Sequence, residues 1–205
     1  ELFTADTTAG IINLANDPDA AVTVNSLTTG SASDITYAQA DEDLTIQGNG
    51  ISSAGGNILV DPPVNMNINA DVTTTGAGAI DLDATTTITV ADGVLISSDA
   101  GDITISADHT AWTTSPLTTF TMNDTGSDVL ISSNTGDIRI NANSMTLDLV
   151  STGGDVDLRA DGGAGNITTT QAGGTDGLIT ANDLAAVVDA ASTITLNTQV
   201  DTFVS

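Results

Sequence analysis

The chain has 205 residues with 27 acidic side chains, two arginines, one histidine, no lysine and no cysteine, for a formal net charge of -25. That charge argues against a nucleic-acid binder, since phosphate recognition needs Lys and Arg. No apolar run approaches the roughly 18 residues of a membrane-spanning helix. Without cysteine there is no disulfide framework, thiolate metal site or Cys nucleophile. Aromatics are 2% and hydrophobics 40% of the chain, so any core is built from small aliphatic residues. These are mostly Ile, Val, Leu and Ala among abundant Thr, a mixture suited to pleated, half-buried strands. Glu, Lys, Gln and Arg, strong helix formers, are nearly absent.

In chain order, Leu2–Leu14 opens with a strand and runs into a Gly-then-apolar pattern. There is no initiator Met and no signal-peptide pattern at Glu1-Leu2-Phe3, so the sequence reads as a processed or excised product. The densest acid cluster follows at Asp41-Glu42-Asp43, a candidate calcium site because calcium takes carboxylate and carbonyl oxygens. Gly56-Asn57-Ile58-Leu59-Val60 and Gly78-Ala79-Ile80-Asp81-Leu82 introduce a repeat. Its clearest copies are Val94–Ala107 and Val129–Ala142, offset by 35 residues. Phe120-Thr121-Met122 lies halfway between them, where an intervening coil of 17 or 18 residues would fall. The lone His109 has no partner pattern, and Trp112 and Phe120 read as covers on a coil flank. Gly154-Asp155-Val156-Asp157-Leu158 is a further copy. The run at 161–166 loosely echoes a calcium-binding nonapeptide without its aspartate. At 183–191, Leu184, Val187, Val188 and Ala191 follow helical spacing, with Asn182 or Asp183 as N-cap. Two readings stand there, a short helix or two more strands, the latter because Val187-Val188 is β-branched. Ser192–Val204 returns to strand pattern.

Each copy joins a Gly-Asp or Gly-Asn turn to an apolar-polar-apolar triplet. Gly accepts φ > 0, and the Asx side chain is expected to cap its own backbone. The triplet is strand alternation. Similar short strands at a period near 18–23 residues predict one all-β domain over 1–205, a parallel β-helix. Ile103, Ile138 and Val156 are expected to stack inside, with Thr104, Arg139 and Asp157 in solvent. Coils about 4.8 Å apart would set aspartates above one another and destabilise the stack. Arg139 and Arg159 are expected to neutralise neighbouring aspartates.

These Gly-Asp-Ile-x-Ile-x-Ala repeats, with strands such as Ser192–Thr198, resemble bacterial giant surface proteins and filamentous-haemagglutinin-type adhesins. The resemblance covers roughly residues 45–205. It implies a right-handed parallel β-helix, secreted or held at the cell surface, used for adhesion or fibre building.

No polar cap is evident at either end, and solenoids normally require one. Leu2, Phe3, Ile11, Ile12, Val200, Phe203 and Val204 are therefore candidates for head-to-tail self-association through exposed strand edges. No nucleophile, P-loop or dinucleotide motif is present. Close aspartate pairs are expected by chance among 25, and aromatic platforms for sugar cleavage are scarce, so an enzyme is not expected. The threonine runs 73–75, 85–87 and 168–170 do not recur at constant spacing, so a regular threonine lattice is not expected either. The leading expectation is an extracellular structural subunit that polymerises with itself, with calcium as its candidate cofactor. The alternative is a surface adhesin that binds a glycan or protein receptor through its loops.

Overall fold

The computed structural model describes residues 1–61, 63–107, 116–160, 165–170 and 177–204. Its 21 strands form one ladder in which each pairing is parallel, wound as a β-solenoid of about eight turns. Each coil presents three short strand segments in turn, so the solenoid has three faces. Alternation turns every second side chain inward, and pairing sets like residues above one another. One inward column of the third face runs Ile12, Ile35, Ile58, Ile80, Ile103, Ile138, Val156, Leu184 and Phe203. Leu27, Ile51, Val72, Ile96, Ile131, Val150 and Ile179 form its equivalent on the second face. Val22, Leu44, Met66, Ile88, Phe120, Met145, Ile167 and Ile194 do so on the first. Almost all of these are fully buried. A chain nearly without aromatics thus fills a long core with stacked methyl groups. Each buried aliphatic side chain contributes roughly 1.5–3 kcal/mol of transfer free energy.

The structure corrects several expectations. The 35-residue offset between the strongest copies is a single coil, since Ile103 pairs directly with Ile138. Phe120–Met122 is no intervening coil. It lies on the first face of that same turn, between Ile88–Val90 and Met145. Coils elsewhere on the third face are 23, 23, 22 and 23 residues from Ile12 to Ile103, then 35, 18 and 28 to Leu184. Phe120 is fully buried and belongs to the core, not to a flank. Thr104 is likewise buried, at 7% exposure, below Arg139 in its column.

The strand reading of 183–191 holds through Val188, after which the chain turns. Leu178–Val188 extends for 11 residues and bends at the exposed pair Asn182-Asp183. Ile179 and Ala181 point inward on one face and Leu184 and Ala186 on the next. Val187, which the helical spacing placed on the buried stripe, is 37% exposed. Pairing with Val156–Ala160 on one side and Asn197–Val204 on the other fixes the strand. The bend shifts the inward phase by one residue between Ala181 and Leu184, and past it Leu184, Ala186 and Val188 alternate as a strand does.

Two ladders of polar groups hold one corner. Inside it, Thr74, Ser98, Ser133 and Thr152 are buried and donate their hydroxyls to the carbonyls of Gly56, Gly78, Gly101 and Gly136 in the preceding coil, at 2.8, 2.7, 3.0 and 2.5 Å. Ser98 and Ser133 also accept from the amides of Gly101 and Gly136, at 2.8 and 2.9 Å. Each hydroxyl thereby satisfies buried backbone groups that the turn leaves over. Glycine is required here by close approach. A Cβ on Gly101 would collide with the Gly78 carbonyl, and one on Gly136 with the Gly101 carbonyl.

Just outside runs the Asx ladder. Its side chains do not cap their own turns, as the sequence suggests, but the next coil. Asp34 Oδ1 accepts from the Asn57 amide at 2.8 Å, and Asn57 Oδ1 from the Ala79 amide at 2.9 Å. Asp102 takes the Asp137 amide at 2.9 Å, and Asp137 the Asp155 amide at 3.0 Å. The Gly-Asx signature is therefore an inter-coil device.

Candidate functional site

Three surfaces concentrate groups that could act: the acidic corner, the turn at 41–43 and the two ends.

At the corner, stacked Asp102, Asp137 and Asp155 set three carboxylates at successive coils. Arg139, the next outward residue, offsets their repulsion. Its guanidinium donates to Asp102 Oδ2 at 2.8 Å and to Asp137 Oδ2 at 2.7 Å. Burial works against charge on Asp102, but the Arg139 hydrogen bond, the Asp137 amide and the Arg139 charge together hold its carboxyl below the usual range. Burial likewise opposes charge on Arg139, and the bond and charge of Asp102, with Asp137 and Asp157, raise its pKa instead. Arg159 pairs with Asp157 at 3.4 Å. The expected neutralising role of both arginines is what the geometry shows. Beside them, Asp137, Arg139, Asp155, Asp157 and Asp183 line a groove of about 240 Å³.

Asp41, Glu42 and Asp43 form a corner turn that sequence reasoning read as a calcium site. Glu42 adopts a left-handed backbone with φ 68°. Buried Gln39 donates through Nε2 to the carbonyls of Asp41 and Glu42, at 2.7 and 3.0 Å. Asp43 Oδ1 accepts from Asn65 Nδ2 at 2.7 Å. Across a shallow concavity lie Asp17 and Asp19. Among the described residues, no three acids or histidines converge closely enough to hold a metal ion. His109, Trp112 and residues 161–164 of the nonapeptide-like run lie outside the described residues.

At the ends, the first strand segments Leu2–Thr7 and Ile12–Asn16 pair only with the coil that follows, and Ile194–Thr195 and Asn197–Val204 only with the coil that precedes, among the described residues. The self-association candidates divide. Leu2 and Ile11 stand 67% and 70% exposed, and Phe203 and Val204 48% and 59%. Phe3 is half-buried and meets the Tyr37 ring edge-on at 6.2 Å, while Ile12 is buried and Val200 half-buried. Tyr37 itself is fully buried, its hydroxyl donating to Gln39 Oε1 at 2.8 Å, and burial raises its pKa. It offers no platform to a ligand.

Sequence reasoning missed the regularity of the first face. Its outward columns are Thr87, Thr119 and Ser144, and Thr89, Thr121, Thr146, Thr168 and Thr195. The signal was present as Thr-x-Thr around inward Ile88, Phe120 and Ile194, but unequal coil lengths hid its recurrence.

No helix of the described residues is long and apolar enough to cross a membrane. No protein-family model matches the chain, and no curated protein or solved structure matches it either; what the structure shows is a parallel β-solenoid repeat architecture of about eight turns.

Proposed function

We propose that the chain is an extracellular structural β-solenoid that associates end to end with copies of itself into a fibre or surface layer. The observation that carries this reading is the pair of half-paired terminal coils. Parallel strands have two unlike edges, and the edge left by Leu2–Thr7 and Ile12–Asn16 complements the one left by Asn197–Val204. Stacking one copy on another would continue all three faces and cover Leu2, Ile11 and Phe203. Unpaired edges are templates for such pairing. The absence of Cys and Lys and the acidic, hydroxyl-rich surface support an extracellular setting.

Sedimentation velocity over a wide concentration range, with electron microscopy, tests the proposal on the whole chain. Wild-type protein forms unbranched assemblies that lengthen with concentration, and Phe203→Asp stays monomeric at unchanged β content. A wild-type monomer throughout rejects the reading. If that monomer instead binds a glycan or cell surface, the adhesin alternative takes its place.

A further inference from the structure

The first face bears an ordered grid of hydroxyl groups. Outward Thr87 and Thr89 stack under Thr119 and Thr121, and these under Ser144 and Thr146. Thr146 leads to Thr168 and on to Thr195. The register holds without a shift although successive coils differ in length. Repeat distances are about 4.8 Å between coils and about 6.6 Å between outward residues along a strand. β-Branching gives each threonine few χ1 choices, so its methyl and hydroxyl occupy repeated positions. Two further observations mark this face. In a chain of net charge -25, none of these outward positions is charged. Among the described residues, the hydroxyls of Thr89, Thr119, Thr121 and Thr146 take no protein partner, so they are left to water. Thr87, by contrast, donates to Asn65 Oδ1 at 2.6 Å, which marks where the free grid begins.

We propose that this face binds ice. Charged groups hold water in orientations that a crystal cannot accept. An uncharged array of alternating methyls and hydroxyls can instead anchor waters on a rectangular net. The prism plane of hexagonal ice repeats its oxygens on a net of comparable edges, so waters held here continue the lattice. Aromatic side chains, on which a sugar ring would stack, are absent from the grid. The inference is independent of end-to-end association, because the face runs along the solenoid and not across its ends.

Freezing behaviour of the whole chain, read by nanolitre osmometry and ice-crystal morphology, is the test. Wild-type protein shapes ice crystals and opens a gap between melting and freezing. Thr121→Tyr with Thr146→Tyr abolishes both, while circular dichroism and the melting temperature match wild type. Ser132→Tyr, on the outward side of the second face, leaves both effects intact. Freezing indistinguishable from an inert protein overturns the inference. So does an effect that survives the double variant equally. Cosedimentation with crystalline cellulose or chitin, lost in the double variant without any effect on ice, would also overturn it and assign the grid to a polysaccharide.

Discussion

Ser98 and Ser133 each bridge two coils from a buried position, and neither was singled out by hydrophobic pattern alone. Ser133→Ala strands the Gly101 carbonyl and the Gly136 amide. Leaving buried partners unsatisfied costs about 1–3 kcal/mol, measurable as a lower urea midpoint at unchanged slope. Gly136→Ala forces a methyl against backbone and is expected to cost a further roughly 1–3 kcal/mol through overpacking. A neutral effect on denaturation would show that the coils can separate there at little cost. Arg139 sets the acid response of the corner. Because the Asp102 pKa is lowered in the folded chain, its contribution is complete above the ordinary carboxylate value of 3.8 and is lost as pH falls through the lower folded value. Wild-type stability therefore drops more steeply below about pH 4 than that of Arg139→Gln, whose Asp102 has less to lose. Parallel acid titration curves for the two proteins would contradict this assignment.

The strands themselves were largely legible. Apolar-polar-apolar triplets after Gly-Asx placed Ile103, Ile138 and Val156 in one inward column, and the structure pairs them so. Coil count was not legible, because a repeat distance does not reveal whether one long turn or two short ones fills it. Extra residues between Ser106 and Leu117, and between Met122 and Leu130, lengthen that turn. Residues 183–191 carry both a helical spacing and the β-branched pair Val187-Val188, and periodicity does not separate helix from strand over so short an apolar run; pairing of Leu184–Val188 with Val156–Ala160 decides it. Among the candidate sites, the exposure of Leu2, Ile11, Phe203 and Val204 could be read from the sequence, whereas Ile12 is buried and Phe3 and Val200 are half-buried. The hydroxyl grid could not, since it depends on which coils are neighbours. Phe120 discriminates the two accounts of its turn. Buried between Ile88 and Met145, Phe120→Ala should cost about 3–5 kcal/mol, whereas a residue covering a flank would cost far less. Chemical denaturation separates these outcomes.

Across the whole molecule, 27 acids face two arginines, so the stack is held against its own charge. Raising ionic strength from about 0.01 to about 0.1 M contracts the screening length from about 30 to about 10 Å. The melting temperature is expected to rise over that range, and a fall would mean that attractive pairs outweigh repulsion. Small aliphatic columns, hydroxyl bridges and Asx-to-amide links all act between neighbouring coils, so everything rests on which coils are neighbours. The decisive pair is Ser97 and Ser132, which face outward on the second face in direct register across the 35-residue turn. Adjacent parallel strands lie close enough for a disulfide, and no native cysteine interferes. The Ser97→Cys/Ser132→Cys chain, oxidised mildly at low concentration, is predicted to close an intramolecular disulfide in high yield with its stability retained. Persistently free thiols, or disulfides formed only between chains, would mean that another coil separates the two positions and that the ladder described here is wrong.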